Sequence, residues 1–189
     1  MYRQCSSEKS VMQQRKFEAC FLDTWEKEPY DNISISGLCR DAGMSRKTFY
    51  RLFECKSDVV FAMVDHIITD ETFYVPDESV GSGDLHRFFA YWKSQKRFLD
   101  VLRKNDSSHL LTERAISHIF RDSPEVHHVF GTADSPIARE TIIFYLSGMF
   151  TMVLDWHRHG FQRSIDEMAA LVMTVLTTPP LRHADPTNK

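Results

Sequence analysis

The sequence predicts an all-α protein in two parts, and three observations carry that expectation. Apolar residues recur at helical spacing along nearly all of the 189 residues, with no convincing strand alternation and no internal repeat. Serine–proline pairs, a terminal glycine and a capping box stand where helices must start or stop. Residues 34 to 53, SISGLCRDAGMSRKTFYRLF, form two short helical patterns around a glycine.

This last stretch has the layout of a helix-turn-helix. Ile35, Leu38 and Ala42 fall on one face of the first short helix. Gly43 can take positive φ without steric cost and so ends it abruptly. Met44 is free to plug the core beneath the corner, and Ser45 suits the N-cap of the second helix. Phe49 with Leu52 or Phe53 faces inward, leaving Arg46, Lys47, Tyr50 and Arg51 outside. Such a corner exposes the first turn of its second helix to a major groove. Downstream, Glu54-Cys55-Lys56-Ser57-Asp58 precedes an apolar run, which puts Lys56 at a helix N-terminus, where backbone N–H groups favour a phosphate.

The remaining elements follow in order. A long helix is expected from 57 to about 74, ending before Pro76, and the turn-rich VPDESVGSG follows. A second long helix, about Asp84 to Lys104, carries Leu85, Phe88, Phe89, Trp92, Phe98, Leu99 and Leu102. Beyond Asn105-Asp106-Ser107 an amphipathic stretch runs to about Arg121. Ser123-Pro124 and Ser135-Pro136 each read as a cap followed by proline at the first helical position. The second pair opens a helix through Trp156 that Gly160 terminates. Ser164 to Glu167 forms a capping box for a last helix ending before Pro179-Pro180, and LRHADPTNK reads as a frayed tail.

From Phe17 to Ile68 the chain resembles the DNA-binding domain of the TetR/AcrR family of bacterial transcriptional regulators. The shared pattern is an amphipathic first helix (Phe17 to Lys27), the helix-turn-helix (Ile35 to Phe53), the ending Tyr50-Arg51-Leu52-Phe53, and Lys56 before the next helix. The resemblance implies that Arg46 and Lys47 approach base edges while Thr48, Tyr50 and Lys56 hold phosphates; with Ser45 and Arg51 these make up the expected DNA-binding set. Three residues depart from the pattern. Cys39 replaces the usual alanine, Gly37 weakens the interior of a helix by about 1 kcal/mol, and Cys55 is a poor cap that leaves the next helix prone to fraying without DNA. The ending Trp156-x-x-x-Gly160-x-x-x-Ser164 resembles the branch of that family containing the dihydroxyacetone-kinase regulators.

The formal net charge of −3 conceals an asymmetry, since residues 40 to 56 hold Arg40, Arg46, Lys47, Arg51 and Lys56 against Asp41 and Glu54. A local basic face suits phosphate neutralisation, and binding through it should depend strongly on salt. No apolar stretch approaches the roughly 20 residues that span a bilayer, and MYRQCSSEKS lacks a signal peptide's apolar run, so a cytoplasmic protein with no membrane contact is expected. The four cysteines form no CxxC pair, which indicates neither zinc site nor disulfide framework, and no cofactor is expected.

The last two helices are apolar nearly all round, and a symmetric partner could cover them in a four-helix bundle. Phe144, Met152, Trp156, Met168, Leu171, Val172 and Val175 are the expected homodimer interface. In the resembling family these two helices form that interface. The resemblance also implies a small-molecule effector pocket between the helices around residues 84 to 156. Candidate lining residues are Trp92, Phe98, Leu102, His109, His118, Phe144, Tyr145 and Met149, although plain core would show the same stripe.

An enzyme is the competing class. His127-His128 and His157-x-His159 are the densest histidine groups, but such neighbours on a helix point to different faces and cannot chelate one metal. There is no glycine-rich phosphate loop, Gly-x-Ser-x-Gly elbow or HExxH, and no catalytic residue is assigned. The expectation is an all-α, ligand-responsive regulator, a repressor rather than an activator, that binds a palindromic double-stranded operator as a homodimer. Residues 1–56 would form its N-terminal three-helix helix-turn-helix domain, and 57–189 its C-terminal helical ligand-binding and dimerisation domain. The alternative is a coactivator or interaction module of the same fold that acts through a protein partner.

Overall fold

A computed structural model describes Tyr2, residues 7–69, 81–122 and 138–177. Ser123-Pro124, Ser135-Pro136, His127-His128, Pro179-Pro180 and the terminal LRHADPTNK lie outside the described residues, as does most of the VPDESVGSG loop. The described residues hold helices and no strand, as the periodicity predicts. In chain order they are α1 (Glu8–Trp25), α2 (Ile35–Asp41), α3 (Arg46–Leu52), α4 (Lys56–Ile68), α5 (Ser82–Ser94), α6 (Lys96–Lys104), α7 (His109–Asp122), α8 (Ala138–Arg158) and α9 (Ile165–Thr177), with a 3-10 turn at Tyr30–Asn32. No helix among them is long and apolar enough to cross a membrane.

Local chemistry explains most of the boundaries. Ser34, Ser45 and Ser164 cap α2, α3 and α9 by accepting from the backbone N–H three residues on, at 3.0 to 3.1 Å. Glu167 completes the box at Ser164 by accepting from its N–H. Gly43 (φ 61°) and Gly160 (φ 68°) end α2 and α8 in the left-handed region. Around each glycine the two hydrogen bonds of a Schellman motif close: Gly43 N–H to Arg40 O and Met44 N–H to Cys39 O, then Gly160 N–H to His157 O and Phe161 N–H to Trp156 O.

Three boundaries differ from expectation. α1 begins at Glu8, nine residues before Phe17, because Ser7 accepts from Ser10 N–H and starts the helix early. The long helix expected from Asp84 to Lys104 is two helices. Gln95 leaves helical geometry (ψ 19°), and Ser94 Oγ donates to Tyr91 O at 2.6 Å where the ladder would continue. The bend lets Tyr91 and Trp92 before it and Phe98 and Leu99 after it all be buried. No glycine or proline announces it. α4 ends at Ile68, not near 74, since Thr69 N–H and Oγ1 both donate to Asp65 O, each at 2.9 Å; residues 70–74 lie outside the described set.

α1 to α3 close around Phe17, Phe49 and Phe53, whose rings meet at centroid distances of 5.3 to 6.0 Å. α4 packs on both α1 and α7, α8 packs on α7, and α9 lies against α5. The link across α4 is polar as well as apolar. Asp65 is buried and accepts from Arg114 of α7 through two guanidinium nitrogens, and Tyr2 donates to the same carboxylate at 2.8 Å. One turn along, His66 meets the buried Glu18 of α1 at 2.9 Å.

Candidate nucleic-acid interface

The corner between α2 and α3 is built as its residue types require. Leu38, Ala42, Phe49, Leu52 and Phe53 are all buried, and Ile35 and Met44 pack against them from the edge. Phe49 therefore fixes α3 on the core through Phe17, while the cap at Ser45 fixes where α3 starts. Arg46 and Lys47 occupy its first turn and are exposed. Two free backbone N–H ends and two cations thus point from one rigid helix start, the arrangement a groove-reading helix needs.

The expected DNA-binding residues are not equivalent. Arg46 donates to the Tyr50 hydroxyl at 3.4 Å, with its guanidinium 5.9 Å from that ring, so one side chain orients the other while Tyr50 stays 45% exposed. Thr48 Oγ1 lies 3.0 Å from Ser45 Oγ. Lys47 has no hydrogen bond or ion pair among the described residues. Arg51, in contrast, is turned back on α1, donating to Ser10 Oγ at 3.0 Å and to Gln13 Oε1. It ties the second helix of the corner to α1.

Lys56 is the clearest departure from the expectation of an open phosphate site. Its ammonium donates to the carbonyls of Tyr30 (2.7 Å), Asp31 (3.3 Å) and Ile33 (3.3 Å) and sits 4.2 Å from the Tyr30 ring centroid. A 3-10 turn leaves carbonyls without intrahelical partners, and the lysine supplies them. Burial pushes the Tyr30 hydroxyl's pKa up. Cys55 makes no capping bond to the backbone, as a thiol should not, but α4 is not left open: Asp58 accepts from Glu54 N–H at 2.9 Å. That reciprocal bond replaces the missing cap and removes the expected reason for fraying. Lys56→Ala is expected to cost about 1–3 kcal/mol, seen as a lower urea midpoint; an unchanged midpoint would show that the ammonium contributes nothing net.

In the C-terminal half, the expected effector residues separate by burial. Trp92, Phe98 and Leu102 are fully enclosed core, His118, Tyr145 and Met149 are half-buried, and His109 and Phe144 are exposed. Neither His109, which lies beside Asp106 O, nor Phe144, 72% exposed, lines an interior cavity of the single chain. Of the expected interface residues, Trp156, Met168 and Val172 are mostly buried within the chain, Met152 and Leu171 are half-buried, and Phe144 and Val175 are exposed. The Trp156–Gly160–Ser164 spacing has a local explanation. Trp156 Nε1 donates to Arg163 O at 3.0 Å and its ring stacks edge-on to Phe161 at 4.7 Å, so Gly160 folds the link back and Ser164 starts α9.

The histidines go to separate partners. His157 is buried and meets Asp100 at 2.8 Å, whereas His159 is exposed over Asp155 O. Among the described residues no group of three or more His, Cys, Asp or Glu could hold a metal.

Fold and corner together define an all-α protein with an N-terminal helix-turn-helix. No family model matches the chain. Over 102 residues, 53% of this chain, it is 28% identical to the HTH-type transcriptional regulator EthR of Mycolicibacterium smegmatis, and the match spans 44% of that regulator's length. Among solved structures, Lin0861 from Listeria innocua superposes with a TM-score of 0.69 at 12% identity, covering 93% of this chain and 95% of that one. The dihydroxyacetone kinase operon activator DhaS gives a TM-score of 0.56 at 16% identity, covering 88% and 94%. At such identities the likeness to these two structures shows the fold alone.

Proposed function

We propose that this protein is a transcription regulator that binds a palindromic duplex operator as a homodimer, and that it is a repressor released by a small molecule. The observation that carries the reading is the start of α3: a serine-capped helix, held on the core by Phe49, that presents Arg46 and Lys47 to solvent. The similarity to an HTH-type transcriptional regulator supports it. In this reading Arg46 and Lys47 address base edges, and Ser45, Thr48 and Tyr50 contact phosphates. Arg51 and Lys56 act mainly by bracing α1 and the 3-10 turn against the reading helix. Residues 1–56 form the DNA-binding domain and 57–189 the regulatory and dimerisation domain, and the protein is not an enzyme.

The exposed apolar side chains Phe144, Val175 and Leu176 on the last two helices support a homodimer. Two reading helices related by a two-fold axis then meet successive major grooves, so half-sites should be centred about 34–36 Å apart or somewhat wider. An effector pocket among the helices of residues 84 to 156 has His118, Tyr145 and Met149 as its candidate lining, alongside the enclosed Trp92, Phe98 and Leu102.

Selection of bound duplexes from a random pool should return a palindrome, with affinity falling steeply as salt rises. Arg46→Ala or Lys47→Ala should each cost about 1–3 kcal/mol of binding and relax preference at particular bases. Absence of salt-sensitive duplex binding, or equal effects of both substitutions at every operator position, would overturn the assignment.

A further inference from the structure

The exposed residues of α8 form a stripe with its own symmetry. Glu140, Phe144, Gly148, Thr151, Asp155 and His159 are exposed, and the residues between them are wholly or partly covered except Arg158. They pair about a point between Met149 and Phe150: Gly148 with Thr151, Phe144 with Asp155, Glu140 with His159. An antiparallel crossing of this helix with a second copy of itself, about a two-fold axis at that point, would bring each pair together.

Four observations fit each other in that crossing. Gly148 lies in the interior of a 21-residue helix, where glycine is unfavourable, yet a side chain placed there would meet nothing of its own chain within 4 Å. Its lack of a side chain serves no contact inside the chain, and at a crossing it allows close approach. Phe144 is a large apolar side chain left 72% exposed. α8 and α9 flank a groove of about 570 Å³, lined by Met152, Asp155, Trp156, Met168 and Leu171 among others, that α9 leaves open while it packs on α5. At the ends of the stripe, Glu140 would face His159 with Arg158 beside it, which is complementary in charge.

We propose that two copies cross through α8 at Gly148 and Thr151, so that Phe144 of each enters the groove between α8 and α9 of the other beside Asp155. This rests on the homodimer reading above and specifies its register. Leu171 and Val175, one turn apart on α9, extend the same contact.

Sedimentation equilibrium tests it on the full chain. Gly148→Leu should strengthen the isolated helix yet raise the dimer dissociation constant roughly 30-fold or more, and Phe144→Ala should do the same. Gly83→Leu, at another helical glycine with open space around it, should leave association unchanged. Independently of any loss of fold, Gly148→Cys combined with Thr151→Cys should give an oxidised covalent dimer above the wild-type background, whereas Gly148→Cys with Asp155→Cys should not. A dimeric wild type whose association ignores both Gly148→Leu and Phe144→Ala, or whose 148/151 pair fails to cross-link, overturns the register and leaves the homodimer standing. A wild type that is monomeric throughout overturns both.

Discussion

Asp65→Asn should destabilise the protein by about 3–5 kcal/mol, the cost of breaking one side of a buried ion pair. Asp65 is 3% exposed and receives two nitrogens of Arg114 together with the Tyr2 hydroxyl. Arg114 in turn lies 4.8 Å from the Phe61 ring centroid. An amide can accept some of these bonds but leaves the guanidinium charge without a counter-ion in a site that water does not reach. Replacing both partners with apolar residues of similar size, Asp65→Leu with Arg114→Met, should recover most of the loss, since the desolvation of both charges is then removed. Urea unfolding of the three variants decides the matter: a single substitution costing under 1 kcal/mol, or a double variant no better than the single, would show that the pair is solvated. Because the pair joins α4 to α7, the single variant should also weaken the mechanical link between the DNA-reading corner and the C-terminal helices.

Phe49→Ala is expected to be comparably severe, about 3–5 kcal/mol for a buried aromatic truncated to alanine. Phe49 is fully buried and meets Phe17 edge-on at 5.3 Å and Phe53 at the same distance. It is the main apolar anchor of a seven-residue helix, which is too short to persist without tertiary support. Amide exchange should therefore accelerate in α2 and α3 far more than in α5 to α8, and duplex binding should vanish even where the C-terminal helices remain folded. Uniform acceleration along the chain would instead mean that the corner and the C-terminal helices unfold as one unit.

The corner was legible in the sequence because its determinants are local. Ser45, Gly43 and Ser164 act through hydrogen bonds to backbone groups three to five residues away, and their residue types announce those bonds. The inward set Leu38, Ala42, Phe49, Leu52 and Phe53 follows from helical spacing alone. Lys56 shows where such reasoning stops. Its type and its place at a helix N-terminus suggest a phosphate, but the carbonyls that engage it lie 23 to 26 residues earlier, and no spacing rule connects them. The same distance in sequence hid Arg51's turn toward Ser10 and Gln13.

The sequence by itself thus determined the all-α class, the order of helices, most of their caps, and the reading corner with Arg46 and Lys47 at its head. Each of these depends on backbone geometry and periodicity within one or two turns. Only the tertiary structure decided that Asp65 and Arg114 meet across 49 residues, that the chain bends at Gln95, and that Phe144 and Gly148 stand uncovered on α8 while Trp92 and Phe98 are sealed inside. Those outcomes depend on which helix faces press together, and a helix that is apolar nearly all round carries no local mark of which face its neighbours will take.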